Sequence, residues 1–321
     1  MLSDLEVRLP HLVKSLAPRD DNGSGPGSGG RVARARPIRS PQRSRSENGS
    51  DPLSIDPELA RSWLVEFIRD EVSRRRGFER VVIGLSGGVD SALAAVLAAE
   101  ALGEDNVRAL RMPYRHSSRE SLDHAELVIG QTGIQGETID ISAGVDGLVA
   151  SLPEPPDPRR LGNICARMRM IALFDRSAAL HALPLGTGNK SERLLGYFTW
   201  HADDSPPVNP LGDLFKTQVW ALARHVGVPS VIVDKPATAD LVSGQTDEGD
   251  FGISYHRADL ILHWLLLGHR PAEIEQLGFT GEEVELVRER LESTHWKRKL
   301  PTVAMMSQTA IGEYYLRPVD Y

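Results

Sequence analysis

Cysteine is almost missing from this chain. Cys165 is the single one in 321 residues, which excludes an internal disulfide or a cysteine-rich zinc centre and fits a reducing compartment. Its ten histidines form no HxxxH or HExxH pair, so a histidine metal centre is not expected. No apolar run reaches the roughly 18 residues of a membrane span, and the charged N-terminus lacks the apolar core of a signal peptide. A cytoplasmic protein with no membrane partner is the expectation. Basic charge is scarce beyond the N-terminus: residues 1–50 carry nine Lys/Arg against five Asp/Glu, leaving 28 against 39 for the rest. Such a body is poorly suited to gripping a nucleic-acid backbone.

What is present divides near residue 57. Residues 1–56 include a Gly/Ser/Pro-rich stretch with six arginines between Arg31 and Arg45 and few large apolar residues, which predicts a disordered extension. An RNA-binding arm is the alternative reading; a transit peptide is disfavoured by Asp4 and Glu6. Residues 57–321 form the folded domain. ELARSWLVEFIRDEVSRR has one apolar face and predicts a helix, VVIGL a buried strand, and DSALAAVLAAEALG a helix closed by Gly103. NVRALRMPY predicts a second strand, SSRESLDHAELVIGQTG a serine-capped helix, and ETIDIS a third strand. After a Pro-rich loop, LPEPPDPRR, come a long helix over GNICARMRMIALFDRSAALHA, the short strand LPLGTG and a helix over NKSERLLGYFTW. This order predicts an α/β fold: a doubly wound parallel sheet with flanking helices and a helical C-terminal part. Ligands of such sheets sit at the carboxyl ends of the strands, where both glycine-rich turns, LSGG and GTGN, fall.

The first turn raises a chemical question. SGGVDS (Ser86–Ser91) passes from a strand to a helix N-terminus, which gathers backbone N–H groups around an anion. It lacks the GK[ST] ending of kinase and GTPase phosphate loops, so no lysine follows the glycines. Donors without a fixed cation suit a pyrophosphate that forms and departs, with Asp90 holding a neutralising metal. The string resembles the signature of the ATP pyrophosphatases, which activate a carboxylate or carbonyl as its AMP derivative and displace AMP with a nitrogen or sulfur nucleophile. A Gly-Gly turn kept for packing is the plainer alternative.

Further segments narrow the resemblance. GNICARMRM (Gly162–Met170), GTGNKSE (Gly186–Glu192), GYFT (Gly196–Thr199), NPLGDLFKTQVWALAR (Asn209–Arg224), KPATADL (Lys235–Leu241), GQTDE (Gly244–Glu248) and Lys297–Arg298 occur in the order of the ammonia-dependent NAD synthetases. The chain is similar to that family across nearly all of residues 57–300. The resemblance implies an adenine-nucleotide α-hydrolase-like fold, ATP as co-substrate, Mg²⁺ as cofactor, deamido-NAD and ammonia as the other substrates, and a homodimer. It places ATP against Gly84, Leu85, Ser86, Gly87, Gly88, Val89, Asp90 and Ser91, with Thr187, Lys216 and Thr238 as further contacts. Asp90 and Glu192 become metal ligands, Asp90 and Lys216 catalytic residues, and Arg167 and Lys297 contacts to the dinucleotide. Lys216 then brings from elsewhere the cation that the loop lacks. Each has a plainer reading too: Glu192 as a first-turn acid, Lys216 and Arg167 as solvated helix residues, Thr238 as the start of a turn, Lys297 as part of an exposed charge run.

Between GYFT and NP the chain departs from the family. Trp200 stands at the usual lysine and Pro207 at the usual acid, within Trp200-His201-Ala202-Asp203-Asp204-Ser205-Pro206-Pro207-Val208. Either Asp203, Asp204 or His201 substitutes, or the acceptor differs; Trp200 is either a stacking surface or a core or interface residue. About 56 residues precede the first helix, too few for the amidase domain of glutamine-dependent relatives. Free ammonia, or ammonia delivered by a separate protein, is the expected nitrogen source. The expected reaction is ATP-dependent amidation of nicotinic acid adenine dinucleotide to NAD through an adenylated intermediate, releasing AMP and pyrophosphate. An ATP pyrophosphatase adenylating another small acid or tRNA, or a nucleotide-binding regulator without turnover, are the alternatives; the acidic body argues against tRNA.

Overall fold

The computed structural model describes residues 51–115, 117–238, 246–299, 304, 306 and 307. Residues 1–50 of the extension expected over residues 1–56 lie outside the described residues, as do the last three residues of KPATADL and the first two of GQTDE. Four strands, β1 (Arg80–Gly84), β2 (Val107–Arg111), β3 (Gln135–Thr138) and β4 (Ala182–Leu185), form one parallel sheet in the order β3-β2-β1-β4. Val81 pairs with Val107 on one side of β1 and with Leu183 on the other. The chain winds outward from β1 to β3 and then returns to the far side of β1. The topological switch point therefore lies between β1 and β4.

β1 reads as a continuous apolar run because both of its faces are covered, successive side chains serving opposite layers. Val81 and Ile83 pack in the layer of α1 (Pro57–Arg69), α2 (Val89–Leu102), α3 (Arg119–Thr132) and α7 (Lys216–His225), while Val82 packs with Leu173 of α5 (Pro158–Leu180). α2 sits deepest. Ala92, Leu93, Ala94, Ala95, Leu97 and Ala98 are all wholly buried, as expected of a helix apolar all round. The doubly wound parallel sheet matches the sequence expectation.

Several boundaries differ, each for a local reason. The third strand, expected over ETIDIS, pairs only over Gln135–Thr138; Asp140 accepts from the Ser142 N–H at 2.7 Å and turns the chain into α4 (Ser142–Ala150). α5 begins inside the expected Pro-rich loop. Asp157 caps it by accepting from the Arg160 N–H at 2.8 Å, and Pro158 fits the first helical position. α6 (Lys190–Leu194) stops short of GYFT, because Gly196 turns at φ +66° and a Cβ there would stand 2.4 Å from Thr294.

The C-terminal part is helical, with α8 (Ser230–Val233), α9 (Asp247–Phe251), α10 (Tyr255–Leu266), α11 (Pro271–Glu275) and α12 (Gly281–Ser293). The last four bury a second core around Phe251, Tyr255, Ile261, Ile274 and Val284. Leu53, grouped by composition with the extension, belongs to this core and is only 4% exposed; its carbonyl accepts from Gln218 Nε2 at 2.9 Å. Packing thus begins ahead of residue 57. Among the described residues no helix is long and apolar enough to cross a membrane.

Candidate active site

Both glycine-rich turns open into one cleft of ≈ 1520 Å³ at the carboxyl ends of β1 and β4. That exceeds the roughly 300–1,000 Å³ of a single small-molecule site, so two nucleotide-sized ligands fit. A pocket of ≈ 190 Å³ near Arg80, Asp105 and Ala182 lies at the opposite strand ends, away from both turns. Gly84, Leu85, Ser86, Gly88, Val89, Asp90 and Ser91 line the large cleft. Their loop is stapled from within: Ser91 Oγ donates to the Gly88 carbonyl (3.0 Å) and accepts from the Ser86 N–H (3.2 Å), and the Gly88 N–H donates to Ser86 Oγ (3.3 Å). Gly87 serves a different need. At φ +82° its Cβ would stand 2.1 Å from the Ser121 carbonyl oxygen of α3, so only glycine fits.

The second turn brings the charge. Asn189 caps α6, accepting from the Glu192 N–H at 2.9 Å, while its Nδ2 donates to Asp90 Oδ1 at 2.8 Å. Being wholly buried, Asn189 ties one turn to the other. Lys216, the first residue of α7, directs Nζ to Asp90 Oδ2 (2.5 Å) and Glu192 Oε1 (3.4 Å) with its side chain 3% exposed. It is no solvated helix residue. Burial, reinforced by the charge of Asp90, pushes the Glu192 carboxyl up to about 8. Burial would pull the Lys216 ammonium down, but the charges of Asp90 and Glu192 prevail and hold it above the ordinary lysine value. Two carboxylates converging on one positive charge make a hard-oxygen pair suited to a divalent cation. Among the described residues no cluster of three or more acids, histidines or cysteines is placed to hold a metal, so phosphate oxygens or water would complete such a shell.

A buried relay holds this centre on the helical part. Ser191 Oγ accepts from the Lys216 N–H (2.8 Å) and donates to Asp259 Oδ1 (2.5 Å), whose Oδ2 accepts from the Thr217 N–H (3.0 Å) and hydroxyl (2.9 Å). Asp259 of α10 therefore pins α6 and α7 together. Asp247 of α9 also lines the cleft; its Oδ2 accepts from the Tyr255 hydroxyl at 3.0 Å, and burial raises its pKa.

Thr187, Thr238, Arg167 and Lys297 line the same cleft. Arg167 Nη2 donates to the Trp200 carbonyl at 3.1 Å, and Lys297 Nζ donates to the carbonyls of Gly196 (2.7 Å) and Phe198 (2.5 Å). Both donors hold the 196–200 loop. Lys297 is half-buried, and burial lowers its pKa, unlike a residue in an exposed charge run. Asp203 accepts from the Thr199 N–H (2.9 Å) and Asp204 from the Ala202 N–H (3.1 Å), so both acids close the turn that carries Trp200.

Sequence reasoning missed Asn189, Asp247 and Asp259. Asn189 was readable, since asparagine three residues before Glu192 is a capping-box pattern. Asp259 carries no local signal: its partner Ser191 lies 68 residues away.

A family model described as NAD synthase matches residues 61–301. The chain belongs to the NAD synthase family. It is 46% identical to the NH(3)-dependent NAD(+) synthetase of Chlorobaculum parvum over 81% of this chain and 94% of that one. Among solved structures of the family's fold, the NH3-dependent NAD synthetase of Campylobacter jejuni is similar at a TM-score of 0.68 and 30% identity, covering 78% of this chain and 100% of that one. The NMN synthetase of Francisella tularensis is similar at a TM-score of 0.70 and 30% identity, covering 78% and 99%. In this member of the family, SGGVDS and GTGN lie at adjacent strand ends of a parallel sheet.

Proposed function

We infer that this chain amidates nicotinic acid adenine dinucleotide (deamido-NAD) to NAD with ATP and ammonia, releasing AMP and pyrophosphate. The observation that carries the reading is the convergence of Asp90 and Glu192 on Lys216 at the β1/β4 switch point of a NAD synthase family member. A carboxylate oxygen of the acceptor attacks the α-phosphorus of ATP, the bond to the β-phosphate oxygen breaks, and pyrophosphate leaves. Ammonia's lone pair then attacks the acyl carbon, the C–O bond to AMP breaks, and the nitrogen releases a proton.

The loop Gly84–Ser91 faces the ATP phosphates with the N–H groups of the first turn of α2, its inner hydrogen bonds holding that shape, and Thr187 and Thr238 are further contacts. Lys216 neutralises charge that grows on the departing pyrophosphate. The Asp90–Glu192 pair fits Mg²⁺, which would supply charge neutralisation at phosphate oxygens. Arg167 and Lys297 belong to the acceptor side. A homodimer completes the reading: on the 23-residue α5, Ile171 (55% exposed) and Phe174 (37% exposed) leave apolar surface one turn apart. Sedimentation as a monomer at micromolar concentration would remove that part. Dependence on ATP and a single free cysteine, Cys165, support a cytoplasmic location.

The test is incubation of the full chain with ATP, Mg²⁺, ammonium and deamido-NAD. Equal amounts of NAD, AMP and pyrophosphate are expected. Formation of NMN from its carboxylate precursor, with no NAD from the dinucleotide, would place the chain with the Francisella tularensis protein instead.

A further inference from the structure

At the amino ends of the strands, the far end of β1 from SGGVDS, the small pocket of ≈ 190 Å³ holds two arginines, Arg80 and Arg108. Register places both on one face of the sheet: Arg80 pairs with Ala182 of β4, and Arg108 with Val82 of β1 and Gln135 of β3. This is the face that α5 covers, where Val82, Leu110 and Ala182 are buried with Leu173. Inner strands of a parallel sheet covered on both faces normally carry apolar residues there. Two like charges on neighbouring strands of one face also repel unless something neutralises them. Nothing in the fold does so. Among the described residues neither guanidinium has an ion pair or a hydrogen bond, although nearby arginines do: Arg111, further along β2, holds Glu126, and Arg176 of α5 holds Glu137 of β3. Asp105, the pocket's one acid, pairs with neither. Nor do the arginines cap α5, whose end is closed by its own chain: the His181 N–H donates to the Ala178 carbonyl (3.4 Å) and Ser177 Oγ to the Ala182 carbonyl (2.8 Å).

We propose that this pocket is a second anion site, in which Arg80 and Arg108 together take a small oxyanion of the phosphate class. A guanidinium is a planar fork of donors that matches phosphate oxygens two at a time and keeps its charge at any working pH. Set against Asp105, the two arginines leave an excess of one positive charge in the pocket, and the Gln135 carboxamide lies at the same opening as a neutral donor. Size narrows the occupant. The volume falls below the roughly 300–1,000 Å³ of an ordinary small-molecule site, so it admits inorganic phosphate or pyrophosphate and excludes a nucleotide. Because the pocket and the main cleft share none of their lining residues, an anion here does not compete with one held by the glycine-rich turns.

The experiment titrates the full chain calorimetrically with inorganic phosphate and with pyrophosphate, with the main cleft filled by Mg²⁺ and a non-hydrolysable ATP analogue. One anion per chain should still bind. Arg80→Gln and Arg108→Gln each remove charge-assisted hydrogen bonds, so each should weaken that binding by roughly tenfold to a hundredfold, and the double variant should abolish it. Affinity for the ATP analogue should stay within about twofold of wild type in all three, since neither arginine lines the cleft. Arg80 is exposed at the start of its strand, so Arg80→Gln keeps the test decisive even if Arg108→Gln fails to fold. Tighter binding of pyrophosphate would name the departing half of ATP as the occupant, and tighter binding of phosphate the free anion; either supports the site. Disappearance of all anion binding once the cleft is filled, or binding that Arg80→Gln leaves unchanged, would overturn the proposal. So would displacement of the phosphate by an equal concentration of chloride, which would show an unselective positive patch.

Discussion

On one wall of the cleft the charged groups sit in the first turns of α2, α6 and α7, two of which follow β1 and β4 directly; on the other they hang from α5 and a short helical turn after α12. Asp90, Glu192 and Lys216 satisfy one another inside a buried network that Asn189 and Asp259 brace. Arg167 and Lys297 are spent on backbone carbonyls, and Trp296 stays half exposed. The first wall is preorganised by the sheet, as charge stabilisation requires. The second is held in shape by its own side chains. Phosphate chemistry demands one arrangement of charge, and the wall that follows the strand ends is braced to hold it; the other wall is carried by a loop and helix ends.

The sharpest way to break this contrast is at the strand ends. Asp90→Asn and Glu192→Gln each remove a carboxylate whose metal-linked charge stabilisation is worth several kcal/mol, so pyrophosphate release should fall by roughly a hundredfold to a thousandfold. Near-normal release from both purified variants would strip the first wall of its role. Next comes the brace behind it. Asp259→Ala leaves the Ser191 hydroxyl and the Thr217 N–H and hydroxyl without their acceptor, and each buried orphan costs about 1–3 kcal/mol. A loss of about 3 kcal/mol in urea unfolding is expected; an unchanged midpoint would mean water enters the relay.

On the acceptor side the effects should be smaller and selective. Arg167→Ala frees the Trp200 carbonyl and loosens the loop of this wall; with a charged hydrogen bond worth about 1.5–3 kcal/mol, the KM for deamido-NAD should rise by up to roughly tenfold to a hundredfold while ATP is spared. Equal weakening of both ligands would show that the two walls are mechanically one. In the helical part Arg257 of α10 grips Glu283 of α12, Nη2 to Oε2 at 2.6 Å, and holds its carboxyl down at about 2 against an ordinary 4.5. A depressed carboxylate contributes stability above its unfolded value and loses it as pH falls toward the folded one. The Tm of wild type should therefore drop slightly faster than that of Glu283→Gln between about pH 5 and about pH 3, by little because the pair is solvent-accessible. Parallel curves would show that the clamp contributes nothing. The smallest effect is expected from removing residues 1–50, which should leave turnover and Tm essentially as they were. A large loss of either would give the extension a place in one of the walls.

Much of this was readable beforehand. The uninterrupted run VVIG announced a strand covered on both faces, the SGGVDS turn announced a helix N-terminus at its end, and Asn189 with Glu192 spelled a capping box. The start of α5 was readable as well, because Asp157-Pro158 is a cap followed by a residue that fits the first turn. ETIDIS misled, since its alternating apolar residues suit a strand but Asp140 bonds the Ser142 N–H and diverts the backbone into α4.

The sequence by itself determined the parallel sheet, the two glycine turns and the types of residue that gather at their ends, because apolar period, caps and tight turns are interactions among near neighbours in the chain. Only the tertiary structure decided what each charge does. Lys216 meets Asp90 across 126 residues and Arg298 reaches the Arg193 carbonyl across 105; Trp200 and Trp296 likewise meet through the fold. Such pairings depend on which helices the two hydrophobic cores bring together. A donor's freedom to bind substrate is set by its nearest acceptor in space, and no spacing along the chain encodes that distance.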